Sequence, residues 1–264
     1  MINGKRVGLV LSGGGAKGFA HVGVIKVLEQ NGIVPDIVVG TSMGSIVGGL
    51  YASGLSVQNL IDESMNFKLA NITDINLFNM IKEGLVAGNK LSKYIDKISH
   101  NAKIEDFKIK YACVAVDIKT CSEYIFTEGK LSVAARTSSS IPGIFAPYKH
   151  KNMLLVDGGV LNNNPTNIAY SLGADYVIDV DCIGDAYKTT EIKGIIDILM
   201  TCFSAIQYRY EKVLKRKCDA KITISNFKYS YSERTPEGIK DIILSGETET
   251  NKKIKKIKKD LGID

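Results

Sequence analysis

The stretch that most constrains this chain is Ile37-Val38-Val39-Gly40-Thr41-Ser42-Met43-Gly44. A short β-branched run ends in G-x-S-x-G, and Ile46, Val47, Leu50 and Tyr51 follow at helical spacing, so the pattern reads strand, sharp turn, helix. A serine on such a turn carries its hydroxyl exposed at the edge of the sheet. The flanking glycines are needed because a side chain there would strike the neighbouring strand or helix. Ser42 is therefore the candidate nucleophile. Gly and Ser are common loop residues, so the assignment depends on what the rest of the chain supplies.

The amino terminus has the same layout. Arg6 to Leu11 reads as a buried strand, Gly13-Gly14-Gly15-Ala16-Lys17-Gly18 follows, and a helix with apolar Val22, Ile25, Val27 and Leu28 stops at Asn31-Gly32. Gly13, Gly15 and Gly18 satisfy the dinucleotide fingerprint G-x-G-x-x-G, whose backbone N–H groups suit a pyrophosphate. That fingerprint also wants an acidic residue ending the second strand, and Asp36 precedes that strand instead. A P-loop fails because Lys17 comes before Gly18 and no G-K-[ST] exists. The N–H groups of Gly13, Gly14 and Gly15 can alternatively form an oxyanion hole for a serine attacking an ester. Adjacent parallel strands set their carboxyl-end loops side by side, which favours this reading over nucleotide binding and over a loop serving strand-helix packing alone.

Residues 56–98 carry amphipathic helical stretches (Leu60, Ile61, Met65; Leu77, Met80, Ile81; Leu91, Tyr94, Ile95, Ile98), predicting a helical insertion at about 55–105 that caps the site or covers one sheet face. Lys110 to Ile118 and Glu123 to Thr127 read as an antiparallel pair, and Leu131 to Ser139 as a short helix broken at Ile141-Pro142-Gly143. Met153 to Val156 is a strand that delivers Asp157-Gly158-Gly159, also a common turn composition. Asn164-Pro165 reads as a helix cap with proline at the first helical position. A strand over Asp175 to Asp181, a helix over Ile192 to Leu214, a strand over Ala220 to Ser225 and a helix opening at Thr235-Pro236-Glu237 complete the chain. The alternation predicts an α/β, three-layer fold around a mostly parallel sheet, in a single domain over 1–264.

Composition narrows the class. No apolar run reaches the roughly 18 to 20 residues of a spanning helix, and the apolar stretch before Gly13 is too short for a signal sequence. Five scattered cysteines without C-x-x-C spacing argue against a disulfide framework or a zinc site and predict reduced, mostly buried thiols. The expected setting is cytoplasmic, with no metal and no cofactor. Of the formal charge of +6, six lysines (Lys252, Lys253, Lys255, Lys256, Lys258, Lys259) fall in the basic tail at about 236–264, leaving the remainder near neutral, so no nucleic-acid partner is expected. Ile254, Ile257 and Leu261 line an apolar stripe between those lysines. That pattern fits peripheral contact with an anionic membrane at its inner face, or a solvated helix end.

A nucleophilic serine needs a base, and the chain has only His21, His100 and His150. In α/β-hydrolases the order is serine, acid, histidine; with Asp157 as the acid no histidine remains downstream. His21 sits on the first helix as a half-buried packing residue, His100 in a polar stretch, and His150 in a Lys-His-Lys turn. A carboxylate acting directly on the serine is the economical solution, with Asp157 as general base.

The Gly13-to-Gly18 loop, the Gly40-to-Gly44 elbow and Asp157-Gly158-Gly159, in this order, resemble the patatin-like phospholipases, and the segment from Ser139 to Pro147 is similar to that family's proline-containing block. The resemblance covers roughly residues 5 to 182. The layout looks most like the small stand-alone bacterial members related to the esterase domain of neuropathy target esterase. It implies a Ser42-Asp157 dyad, an oxyanion hole from the first glycine loop, and metal-free hydrolysis of phospholipid or lysophospholipid acyl esters through an acyl-enzyme. Lys17 stands where the family usually has arginine, keeping the charge without the fork geometry. A non-catalytic nucleotide- or lipid-binding module is the alternative function, and it would need neither the serine elbow nor the distant Asp-Gly-Gly.

Overall fold

The strands β1 (Val7–Leu11) and β2 (Ile37–Thr41) are buried along their whole length, as strands are when helices cover both faces of a sheet. In this computed structural model, which describes residues 1–67, 86–184, 192, 194–224, 229, 233 and 235–263, they form the centre of an eight-stranded sheet. The other strands are β3 (Lys110–Asp117), β4 (Ser122–Phe126), β5 (Tyr148–His150), β6 (Met153–Asp157), β7 (Tyr176–Asp181) and β8 (Ala220–Thr223). Their order is β5-β6-β3-β2-β1-β7-β8, with β4 paired to β3. The pairs among β3, β2, β1, β7 and β8 are parallel, whereas β4 and β6 meet β3, and β5 meets β6, antiparallel.

Helices α1 (Ala20–Gln30), α2 (Met43–Ala52), α3 (Val57–Met65), α4 (Asn89–Ile98), α5 (Leu131–Ser138) and α8 (Pro236–Leu261) bring apolar residues to the larger core, which includes Leu9, Leu11 and Val38. Helix α6 (Thr166–Ser171) packs Ile168 and Ala169 with Val10, Val39 and Val114 in a second core. Alternation along β1 and β2 thus sends neighbouring side chains to opposite layers, which is the three-layer α/β arrangement the sequence predicts. Helix α7 (Ile195–Leu214) is the remaining α-helix among the described residues.

Several local expectations hold with their chemistry. Gly32 adopts φ 72° after α1, and the Ile33 N–H closes on Leu28 O at 2.9 Å. Thr235 caps α8, its hydroxyl accepting the Gly238 N–H at 3.1 Å with Pro236 in the first turn. Others change. Helix α6 begins at Thr166, and Asn164 does not cap it; its Nδ2 donates to the buried Asp179 at 2.7 Å, a long-range partner that outcompetes the local cap. Of the Lys-His-Lys segment, Lys149 and His150 lie in β5, with His150 paired to Met153, and Lys151 opens the turn into β6 at φ 52°. Of the cysteines, Cys113 and Cys182 are buried while Cys121 and Cys202 are exposed. The predicted insertion contains α3 and α4; its Leu77, Met80 and Ile81 stretch lies outside the described residues.

The tail also folds back. Helix α8 crosses α1 so closely that a Cβ on Gly23 would sit 2.0 Å from Ile243 O, and one on Gly246 would sit 2.0 Å from Ala20 O. Two glycines facing each other's helix let the backbones meet there. Ile254, Ile257 and Leu261 are buried in the main core, each worth about 1.5–3 kcal/mol of burial. The apolar stripe of the basic tail therefore packs against the protein, and its flanking lysines are left on the outside.

Candidate active site

The register along β3 explains how two residues far apart in sequence meet. Thr41 pairs with Val114, and Asp157 pairs with the next residue, Ala115. The ends of β2 and β6 are thus set beside consecutive positions of one strand, and their outgoing turns share one place. Ser42 follows at φ 52° and ψ −124°, a conformation an L-residue adopts only when its surroundings hold it there. What holds it is visible. Its N–H donates to Ser138 Oγ at 3.0 Å, its carbonyl accepts Ser45 Oγ at 2.6 Å, and a Cβ on Gly44 would lie 2.1 Å from Leu11 O. Gly44 is fixed by that close approach of α2 to β1, as the elbow pattern requires.

Asp157 is buried at the end of β6, with its own N–H bonded to Ser140 O at 2.9 Å. Its Oδ1 accepts the Gly159 N–H at 2.8 Å. Its Oδ2 is buried and without a hydrogen bond of ordinary geometry, although the Ser42 hydroxyl acts on the carboxyl closely enough to hold its pKa down. Burial dominates and pushes the Asp157 carboxyl up from its usual range to about 7. The sequence supplies a carboxylate that is a weak base at its ordinary pKa of about 3.9; desolvation at the end of β6 makes it a stronger one.

The glycine loop lies against the same point. A Cβ on Gly13 would come within 3.1 Å of Ser42 Cβ and 2.6 Å of Asn163 Oδ1. The Gly13 N–H donates to Asn163 Oδ1 at 3.2 Å, whereas among the described residues no protein group accepts the N–H groups of Gly14 and Gly15. These two open a 3₁₀ turn over Gly15–Phe19 that leads into α1, so their dipoles point out of its amino-terminal end. Lys17, in the same turn, is buried, and desolvation lowers its pKa to about 8.

The histidines stand apart. His21 is fully buried rather than half-buried, with Nε2 2.8 Å from Ser12 O and its imidazole against Cys182 Sγ. Burial lowers its pKa to about 4, so it stays neutral and donates to Ser12 O. Ser12 Oγ in turn donates to Gly13 O at 2.9 Å and accepts the Cys182 N–H at 2.8 Å. His21 thus braces the glycine loop from behind. His100 is exposed, and His150 packs among Tyr124, Phe126 and Tyr148.

Three residues not singled out in the sequence complete the framework. Buried Asn163 ties the Asp-Gly-Gly turn to the glycine loop, and Gln207 of α7 donates to Gly159 O at 2.9 Å and to Asn163 Oδ1 at 3.3 Å. Ser138 supports Ser42 directly. The run Asn162-Asn163-Asn164, three polar residues between a glycine turn and a helix, is the available sequence signal for Asn163. Gln207 carries none, because its role depends on where α7 lands.

An elbow serine, a buried carboxyl and the N–H groups of Gly14 and Gly15 meet at one sheet edge, the layout of a candidate serine hydrolase site. The patatin-like phospholipase model matches residues 9–170, more than half of the chain, and the chain belongs to this family. Over 181 residues it is 36% identical to a lysophospholipase NTE1 of Pyricularia oryzae, and over 185 residues 35% identical to that of Candida albicans. A patatin-like phospholipase domain-containing protein of Caenorhabditis elegans is 35% identical over 202 residues. These alignments take in 67%, 69% and 72% of this chain but 12%, 13% and 14% of the relatives' own lengths. Among solved structures, VipD from Legionella pneumophila superposes with a TM-score of 0.57 at 16% identity, covering 95% of this chain and 67% of that one. The type III effector ExoU gives 0.54 at 16% identity, covering 97% and 54%. Both share the fold.

Proposed function

We propose that the chain hydrolyses acyl esters of phospholipids or lysophospholipids through Ser42 and Asp157. Asp157 takes the Ser42 hydroxyl proton while Oγ bonds to the ester carbonyl carbon, and the carbonyl electron pair moves onto oxygen. The N–H groups of the Gly13 to Gly15 loop receive that oxyanion, Gly14 and Gly15 foremost because Asn163 already engages Gly13. Collapse breaks the bond to the alcohol, which leaves with the proton from Asp157, and the acyl group stays on Ser42. Water, deprotonated by the same carboxylate, then releases the fatty acid and restores Ser42.

The observation that carries this reading is the Asp157 carboxyl: buried, aligned with Ser42 by adjacent positions on β3, and raised by desolvation to about 7, where a general base works best near neutral pH. The relatives named as lysophospholipases make lysophospholipids the first substrates to try. The test is labelling with a fluorophosphonate followed by peptide mapping, with Ser42→Ala and Asp157→Asn assayed on lysophospholipid and phospholipid in parallel. Stoichiometric label on Ser42, lost in Ser42→Ala together with hydrolysis, is the expected result. Label on another serine, or hydrolysis surviving in Ser42→Ala, overturns it.

A further inference from the structure

Helix α7 is built inside out. Its inward side is mostly polar, with Asp197, Ser204 and Gln207 buried and Glu211 paired to Arg216 at 3.2 Å, while Ile195, Leu199, Ile206, Tyr210 and Val213 are 66%, 41%, 65%, 41% and 78% exposed. At about 100° per residue these five positions fall within an arc of about 60°, a continuous apolar stripe along the length of the helix. A water-facing helix normally shows the reverse pattern. Cationic residues flank the carboxyl-terminal half of the stripe: Arg209 and Lys212 within the helix and Lys215 and Lys217 just beyond it are all exposed, and the helix's two acidic residues face inward. The inner side meets the site, since Gln207 holds Gly159 and Asn163 and Met200 packs with Ile183, Ile141 and Ile144.

We propose that the outer face of α7 is an interfacial docking surface for an anionic lipid bilayer. The apolar stripe enters the acyl boundary and the flanking cations pair with anionic head groups, as amphipathic interfacial helices do. The charge pattern selects this occupant over a second apolar protein surface, because a partner of the same chain would bring four more cations to the contact. The placement also gives the surface a use: docking through α7 holds the Ser42 turn next to the membrane from which a lipid ester is drawn. This use rests on the hydrolase reading above, whereas the docking itself does not. The tail cannot supply the apolar part, because Ile254, Ile257 and Leu261 are buried.

The chain contains no tryptophan, so a single introduced one reports its surroundings without background. Val213→Trp and, as a control at a 50% exposed position outside α7, Val34→Trp are made in the full chain carrying Ser42→Ala. They are titrated with phosphatidylcholine vesicles with and without about 30% phosphatidylglycerol. Expected are a blue shift and quenching by brominated acyl chains for Val213→Trp with the anionic vesicles, and neither for Val34→Trp. The double variant Ile206→Asp, Val213→Asp should cosediment about tenfold or more less well with those vesicles while turning over a soluble short-chain ester normally. Unchanged cosedimentation of the double variant overturns the proposal, as does a Val213→Trp spectrum indifferent to vesicles. A shift that appears without lipid and rises with protein concentration also overturns it, in favour of a contact between copies. Fluorophosphonate labelling of the unaltered chain is independent of every one of these outcomes, so failure of the docking surface and failure of the hydrolase reading remain separate results.

Discussion

Asn163 Oδ1 accepts the Gly13 N–H at 3.2 Å across 150 positions of sequence, and the same oxygen accepts Gln207 Nε2 at 3.3 Å. The glycine loop, the Asp-Gly-Gly turn and α7 are thereby fastened to one buried atom. In the mechanism proposed above the two loops must stay in register for the loop N–H groups and the Asp157 carboxyl to address the same substrate atom pair, which would make Asn163 a positioning residue for both.

Asn163→Ala leaves the Gly13 N–H buried without an acceptor, a cost of about 1–3 kcal/mol, and frees the loop to shift. The expected result is a lower melting temperature and a kcat reduced about 10- to 100-fold with little change in KM, since the loss falls on the transition state. Steady-state kinetics on a soluble ester, with thermal melts alongside, checks this. A KM effect alone would show that Asn163 contacts substrate instead.

The Asp157 pKa of about 7 sets two pH dependences of opposite sense. As a base the carboxyl is active when deprotonated, so acylation should rise through about pH 7 and flatten above it. Stability runs the other way. Between about pH 4 and 7 the folded state keeps a proton that the unfolded chain has released, so this group's contribution is full at low pH and lost as pH passes the folded value. At about 1.36 kcal/mol per unit the difference is on the order of 4 kcal/mol. Asp157→Asn should therefore be inactive yet more stable than the unaltered chain at pH 8, with the gain gone near pH 4, as denaturant melts at the two pH values would show.

The parts of this site legible in the sequence are those encoded by short-range geometry. Gly40 to Gly44 announce the elbow because the close approach of α2 to β1 admits only glycine at position 44, and the β-branched run before it has no other good use. Asp157 was visible as an acid at a strand end, but its basicity was not, because desolvation comes from residues scattered over the whole chain. Gln207 is hidden for the same reason, its partner Gly159 lying 48 positions away, and the Asn162-Asn163-Asn164 run marks Asn163 as polar without revealing its partner 150 positions off. The Asn164-Pro165 pattern does not become a cap because local capping chemistry loses to a buried carboxyl, Asp179, which no local pattern reveals. In the sequence α7 shows only as a helix, since apolar periodicity does not say which face turns inward.

His21 separates a structural from a proton-shuttling histidine. Its ring is neutral, its Nε2 is engaged by Ser12 O, and it touches neither Ser42 nor Asp157 by any hydrogen bond in the described residues. His21→Gln should lower the melting temperature while keeping acylation per folded molecule within about tenfold. Loss of a triad histidine would instead cost at least about 10⁴-fold. The depressed pKa of about 4 also has a sign: stability from His21 is present above its ordinary value near 6.5 and is lost as pH falls toward 4. His21→Gln should remove that part of the acid sensitivity, which a pH series of melts would detect.

The tail offers a test that distinguishes burial from charge. Truncation at Asn251 removes Ile254, Ile257 and Leu261 from the core. At about 1.5–3 kcal/mol each this takes away several kcal/mol from a stability of typically about 5–15. It also removes Asp260, which accepts from Tyr176 Oη at 2.9 Å. The truncated chain should therefore melt far lower or fail to fold, and any loss of membrane binding in it would carry no information. Lys253, Lys255 and Lys259 are exposed, and surface charges of this kind are worth about 0–1 kcal/mol each. Reversing them together to Glu should leave the melting temperature nearly unchanged. If the tail adds electrostatic attraction to the docking of α7, the triple variant should bind anionic vesicles less well at low salt and equally well at high salt, where screening removes the difference. Equal binding at both salt concentrations would assign the tail to the core alone.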